Sequence, residues 1–178
     1  MRMAAIIGAL ALGIVVGNAA LAADPFLSQL VGDWIGRGAM KQSPDAEQER
    51  LYCKISNTMS PDGMSLLQKG RCSLASNSGT IDGSITALGD KAYSGSLASL
   101  ASRAPAKLKG ALVETTVDKK KRQQLVLNAE YLDKMSGQPV KSVNTIELVD
   151  GGYSLTATKI DPRDGSTYAS SLIIFTAK

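Results

Sequence analysis

Gly32-Asp33-Trp34-Ile35-Gly36-Arg37-Gly38 holds the only tryptophan of a 178-residue chain, with glycine at alternate positions around it. Successive side chains leave a β-strand on opposite faces, so residues of one parity share a face. Trp34, Gly36, Gly38 and Met40 then point one way, and Ile35, Arg37, Ala39 and Lys41 the other. The apolar stretch just upstream, Pro25 to Val31, reads as a helical turn or a short helix. Short alternating runs and turn signals fill the rest of the chain, which makes this stretch the predicted first strand of an antiparallel meander.

Further along, strand two is expected over Gln48–Met59, with Leu51, Cys53 and Ile55 on the face opposite Tyr52, Lys54 and Ser56. Strand three, over Met64–Ser76, sets Leu66, Cys72 and Leu74 against Lys69 and Arg71. Asn77-Ser78-Gly79 reads as the next turn, followed by strand four over Thr80–Leu88 and, past Gly89-Asp90, strand five over Lys91–Leu97. Ala98 to Ala106 reads as a longer connection or a short helix. Strand six (Lys107–Val117) and strand seven (Gln123–Leu132) flank a basic turn, Asp118 to Arg122. Strands eight (Val140–Val149), nine (Tyr153–Ile160) and ten (Ser166–Thr176) are joined by Asp150-Gly151-Gly152 and Asp161-Pro162-Arg163-Asp164-Gly165, both strong turn signals. A sheet this long has two exposed edges unless it closes, and glycine in strand interiors permits the bends that closure needs. The expected fold class is all-β: a single antiparallel meander barrel of about 8–10 strands with a short N-terminal helix, a β-sandwich being the alternative.

The chain has two cysteines. Cys53 and Cys72 flank Pro61-Asp62-Gly63, and a hairpin centred between Asp62 and Gly63 sets Cys53 opposite Cys72, Leu51 opposite Leu74 and Ile55 opposite Gly70. Opposed residues of an antiparallel ladder are close enough for a disulfide. The spacing therefore predicts one buried, structural bridge.

The N-terminus fixes the expected compartment. Arg2 is followed by an apolar run from Met3 to Val16 and then by small residues ending at Ala20-Leu21-Ala22. That is the pattern of a signal peptide over 1–22, cleaved after Ala22 with Ala23 as the second choice, and it leaves a single domain over 23–178. The expected location is periplasmic or secreted. The formal net charge is +4, with Lys and Arg scattered among Asp and Glu, so nucleic acid is not an expected partner.

A short helix, then Gly32-x-Trp34-x-Gly36-x-Gly38, then about ten antiparallel strands resembles the calycin group, and within it the fatty-acid-binding-protein-like barrels of the nitrobindin type. The resemblance implies a closed barrel with Trp34 packed across its floor. Nitrobindins hold haem through a histidine, and this chain has no histidine, so His-ligated haem is excluded on chemical grounds.

The same absence removes Ser-His-Asp and Cys-His catalysis and most zinc and copper sites. Ser and Lys are abundant, but no spacing singles out a dyad. Asp82, Glu114, Glu130 and Glu147 fall at outward or ambiguous strand positions, and Asp161 to Gly165 reads as a plain hairpin turn rather than a calcium loop. No enzyme activity, metal or cofactor is expected. Lys119, Lys120, Lys121 and Arg122 form the one charge cluster; it reads chiefly as a solvated hairpin tip, with peripheral contact to a membrane or an acidic partner as the functional alternative.

The residues favour a non-enzymatic exported barrel that binds a small apolar or amphipathic ligand. Trp34, Met40, Tyr93, Tyr131, Tyr153 and Tyr168 are the cavity candidates, and inward Gly36, Gly38, Gly70, Gly95 and Gly110 are expected to leave the space. A second reading is a protein-interaction barrel similar to the bacterial Inh-type protease inhibitors, with Ala23 to Leu30 as an inserting trunk. A third is a small outer-membrane barrel, against which aromatic residues make up only 4% of the chain.

Overall fold

Ten strands form in chain order in the computed structural model, which describes residues 23–117, 120–134 and 136–178. They follow one helical turn: α1 (Pro25–Ser28), then β1 (Gly32–Met40), β2 (Glu49–Met59), β3 (Ser65–Ser73), β4 (Ser78–Gly89) and β5 (Ala92–Ala98). The second half holds β6 (Ala106–Val117), β7 (Lys120–Leu132), β8 (Pro139–Val149), β9 (Gly152–Ile160) and β10 (Thr167–Ala177). The expected leader, 1–22, lies outside the described residues. Each strand pairs antiparallel with its neighbours in sequence, and β1 pairs with both β2 and β10, so the sheet closes into a barrel and the sandwich is ruled out.

Closure places one parity of each strand inside. On β2, Leu51, Cys53, Ile55 and Asn57 are buried between exposed Arg50, Tyr52, Lys54 and Ser56. The core continues through Leu66, Leu108, Leu125, Leu127, Ile146, Ile173 and Phe175. Cys53 stands opposite Cys72 in the β2–β3 ladder, with Ile55 opposite Gly70, and the two cysteines are disulfide-bonded with Cα atoms 4.1 Å apart.

The glycines do something other than leave space. A Cβ on Gly38 would run into the carbonyl of Leu172 on β10, and one on Gly110 into the carbonyl of Val126 on β7. Gly70 and Gly95 meet the neighbouring backbone in the same way, and the room beside Gly36 is filled by the Phe175 ring. These positions are where adjacent strands come too close for any side chain, so they serve curvature, and the expectation that they open a cavity is corrected.

Two turns also move. The β3–β4 connection is Leu74 to Asn77, where the Leu74 N–H donates to the Asn77 carbonyl at 2.7 Å. Ser78 and Gly79 pair with Ser73 and Cys72 as strand residues, because ladder hydrogen bonds continue past the polar run that looked like a turn. Likewise β7 starts at Lys120, opposite Val117. Lys120, Lys121 and Arg122 thus belong to a strand, while Asp118 and Lys119 lie outside the described residues.

Candidate functional site

The barrel has a helix end and a loop end. At the helix end Phe26, Leu27 and Leu30 are buried beneath the sheet. Asp24 caps α1: its Oδ1 accepts from the Phe26 and Leu27 N–H groups at 3.1 and 2.8 Å. Its Oδ2 accepts from the Tyr93 hydroxyl at 3.0 Å, tying the helix to β5. Burial, and then the adjacent Asp24 carboxylate, push the Tyr93 phenol above its ordinary range.

α1 ends with the Leu30 carbonyl buried, and two side chains satisfy it. Trp34 Nε1 donates to it at 2.9 Å and Asn57 Nδ2 at 2.8 Å. Gln68 Nε2 donates in turn to Asn57 Oδ1 at 3.1 Å. The Trp34 ring meets Tyr153 edge-on, with centroids 5.1 Å apart, and Tyr153 stacks on Phe175 at 4.6 Å. Trp34 packs across the floor of the barrel.

Above this floor lies a partly enclosed cavity of about 180 Å³. Its wall is mostly aliphatic, including Leu66, Ile81, Ile85, Leu127, Ile146 and Leu155. Met40, Tyr131 and Tyr153 are on that wall. Trp34 and Tyr93 belong to the floor instead, and Tyr168 sits at the loop-end rim, its hydroxyl donating to the Gln42 carbonyl at 3.1 Å.

Lys159 also lines the cavity, and the sequence reading passed over it. Its residue is only 6% exposed. On β9 it shares the inward parity of Tyr153, Leu155 and Ala157, and that parity was the available signal, since a charged residue in line with three inward positions is unusual. In the ladders Lys159 stands opposite Ser142 of β8 and Tyr168 of β10. Its Nζ lies 5.9 Å from the centroid of the Tyr131 ring, at the outer limit of a cation–π contact. Burial pulls its pKa below the usual lysine range, and the charge of Asp133 partly opposes this. The Tyr131 phenol is pushed up, first by burial and then by Asp133.

The remaining candidate groups lie on the outside. Glu114 pairs with Lys91 at 3.2 Å, Glu147 with Arg122 at 2.8 Å and Glu130 with Lys141 at 3.7 Å, and Asp82 is exposed. Asp161 is held by Arg163, which also reaches Asp45 at 2.6 Å, so the Asp161 to Gly165 segment is a hairpin turn with its carboxylate engaged. No cluster of three or more metal-ligating side chains exists among the described residues.

Among the described residues, in addition to Lys121 and Arg122 on β7, exposed cations also gather on β1–β3. Arg37, Arg50, Lys54, Lys69 and Arg71 all face solvent there. Arg37 and Lys54 flank the exposed Tyr52 ring at 5.7 and 5.9 Å from its centroid, and Lys54 stands directly opposite Arg71. Register assembles this face from three strands, so no run of basic residues announces it.

A closed ten-strand antiparallel barrel with a plugged floor and an internal cavity is the class of protein these features define. No known protein-family model matches the chain, and no curated protein matches it significantly in sequence.

Proposed function

We propose that this is a non-enzymatic exported binding barrel of calycin type that carries a small apolar or amphipathic ligand inside. The observation that supports it is the aliphatic cavity of about 180 Å³ above a fully packed floor. Apolar cavities of roughly 150 Å³ hold a benzene-sized ligand, which sets the scale of the guest. The Cys53–Cys72 bridge weakly favours an oxidising compartment, in keeping with the proposed leader over 1–22. The outer face carries Arg37, Lys54, Lys69 and Arg71 among exposed apolar residues such as Leu67 and Leu172, and charges interspersed in that way weigh against a lipid-facing band. Among the described residues no helix is long and apolar enough to cross a membrane.

The inserting-trunk reading loses its support, because Phe26, Leu27 and Leu30 are buried as the barrel's plug. Peripheral contact with a membrane or an acidic partner would use the Lys119 to Arg122 cluster, of which Lys119 lies outside the described residues, or the β1–β3 face. Native mass spectrometry of protein recovered from the periplasm tests the binding function, together with melting shifts across small apolar compounds. The expected results are an N-terminus at Ala23 and either a co-purified ligand or a raised melting temperature. Only apo mass with no shift from any compound would overturn it.

A further inference from the structure

Outward-facing cations divide into those with an acidic partner and those without. Among the described residues, ion pairs join Lys91 to Glu114, Arg122 to Glu147, Lys141 to Glu130, and Arg163 to Asp45 and Asp161. None of these pairs involves Arg37, Arg50, Lys54, Lys69 or Arg71, which share the outer face of β1–β3. The outward positions of that face from Ile35 to Ala39, Arg50 to Ser56 and Leu67 to Ser73 hold no acid. On its margins Asp82 stands opposite Lys69, Asp33 opposite Ser56, and Glu49 accepts from the Ser76 N–H at 2.9 Å. Register packs the cations closely. Lys54 is directly opposite Arg71, and Arg37, opposite Tyr52, lies diagonal to both Arg50 and Lys54. Like charges opposed in a ladder are destabilising, and no carboxylate of these strands lies between them.

We propose that this face is a docking surface for an anionic lipid bilayer, its cations lying over the head groups and Tyr52 entering the interface between them. The proposal rests on the peripheral-contact reading above and assigns it to one face. An anionic bilayer supplies the countercharge that the like-charged ladder lacks. The array is three strands wide, which suits a planar sheet of charge better than the single line of carboxylates on an extended acidic segment. Exposed apolar side chains are interspersed with it: Tyr52, Leu67, and Leu172 and Ile174 on adjoining β10. A tyrosine suits head-group depth, where its ring is shielded and its hydroxyl stays wet. A shallow groove lined by Arg37, Arg50 and Tyr52 offers room for a head group beside the ring.

The purified protein is sedimented with vesicles of phosphatidylcholine, alone or with about 30% phosphatidylglycerol. It should bind the anionic vesicles and not the neutral ones, and binding should fall steeply as salt rises from about 0.05 to about 0.5 M. Each cation at such a surface contributes roughly fivefold in affinity, so Arg37→Gln/Lys54→Gln should bind roughly 25-fold more weakly. That variant should melt no lower than the wild type, because the opposition of Lys54 and Arg71 is relieved. Lys107→Gln/Lys109→Gln, at exposed positions of β6, lowers the net charge equally and should bind within about threefold of the wild type. Equal losses in these two variants, or a larger loss in Lys121→Gln/Arg122→Gln, overturn the assignment to β1–β3 and leave peripheral contact standing elsewhere. Binding to polyglutamate but not to the vesicles overturns the bilayer and makes an acidic protein the occupant. Binding to neither overturns the peripheral-contact reading as well.

Discussion

At the helix end of the barrel Trp34 and Asn57 share the Leu30 carbonyl, Gln68 supports Asn57, and Tyr93 reaches Asp24. At the loop end Lys159, Tyr131 and the Ser142 hydroxyl proton face the cavity with no protein acceptor among the described residues. The floor groups come from β1, β2, β3 and β5 and the loop-end groups from β7, β8 and β9, all at inward positions. A buried polar group without a partner is costly, so a fold tends to pair each one with protein, water or ligand. The floor has done so with protein groups and is structural. The loop-end donors have no protein partner among the described residues, and that asymmetry separates the packed floor from the open wall of the cavity.

The contrast breaks most readily at Trp34. Trp34→Ala removes the edge contact to Tyr153 and one of the two donors to Leu30, and should cost roughly 3–5 kcal/mol in denaturant unfolding. Trp34 emission should be blue-shifted in the folded protein and move red on unfolding. A native spectrum like that of indole in water would place the ring on the surface and undo the account of the floor.

The disulfide comes next. Its cysteines are separated by 19 positions, and a crosslink over a loop of about that length contributes about 3 kcal/mol, chiefly by restricting the unfolded chain. Cys53→Ala/Cys72→Ala should keep the fold with a lower midpoint. Thiol titration of the unreduced, denatured protein should find none free.

At Lys159 the sign reverses. Lys159→Met relieves a buried cation and should stabilise the ligand-free protein by about 1 kcal/mol near neutral pH. The folded-state pKa is depressed, whereas an unfolded lysine holds its proton to about pH 10.4. Between those two values the unfolded chain binds more protons, so wild-type stability rises with pH, and the advantage of Lys159→Met shrinks accordingly. Unfolding curves should be compared below about pH 9, where the tyrosines are protonated in both states. A Lys159→Met protein less stable than the wild type at neutral pH would show that Lys159 has a structural partner.

The smallest effect sharpens the comparison most, because it makes one chemical change at both ends. Tyr93→Phe should cost about 1 kcal/mol, since the Asp24 carboxylate loses a donor. Tyr131→Phe should stay within about 0.5 kcal/mol of the wild type, having no bond to lose. Equal losses at the two positions would mean that the loop end is satisfied internally.

Much of the barrel was legible in the amino-acid sequence, because strand parity, turn residues and hairpin register are local. Period-two alternation located all ten strands, and Pro61-Asp62-Gly63 was enough to set Cys53 opposite Cys72. The errors fell where local signals compete with pairing. Asn77-Ser78-Gly79 carries turn residues, yet Ser78 and Gly79 extend a ladder whose partner strand is already in place. Inward glycines look like empty space in one dimension, and only the neighbouring strand shows that Gly38 and Gly110 are points of close approach. The pairing of β1 with β10 joins opposite ends of the domain, and tertiary structure alone decides it. The same holds for the candidate site. Tyr131, Ser142 and Lys159 belong to three strands, and only Lys159, a charge at an inward parity, stands out within its own. They become neighbours because register across β7, β8 and β9 sets Ser142 opposite Lys159 and one inward position away, on the diagonal, from Tyr131.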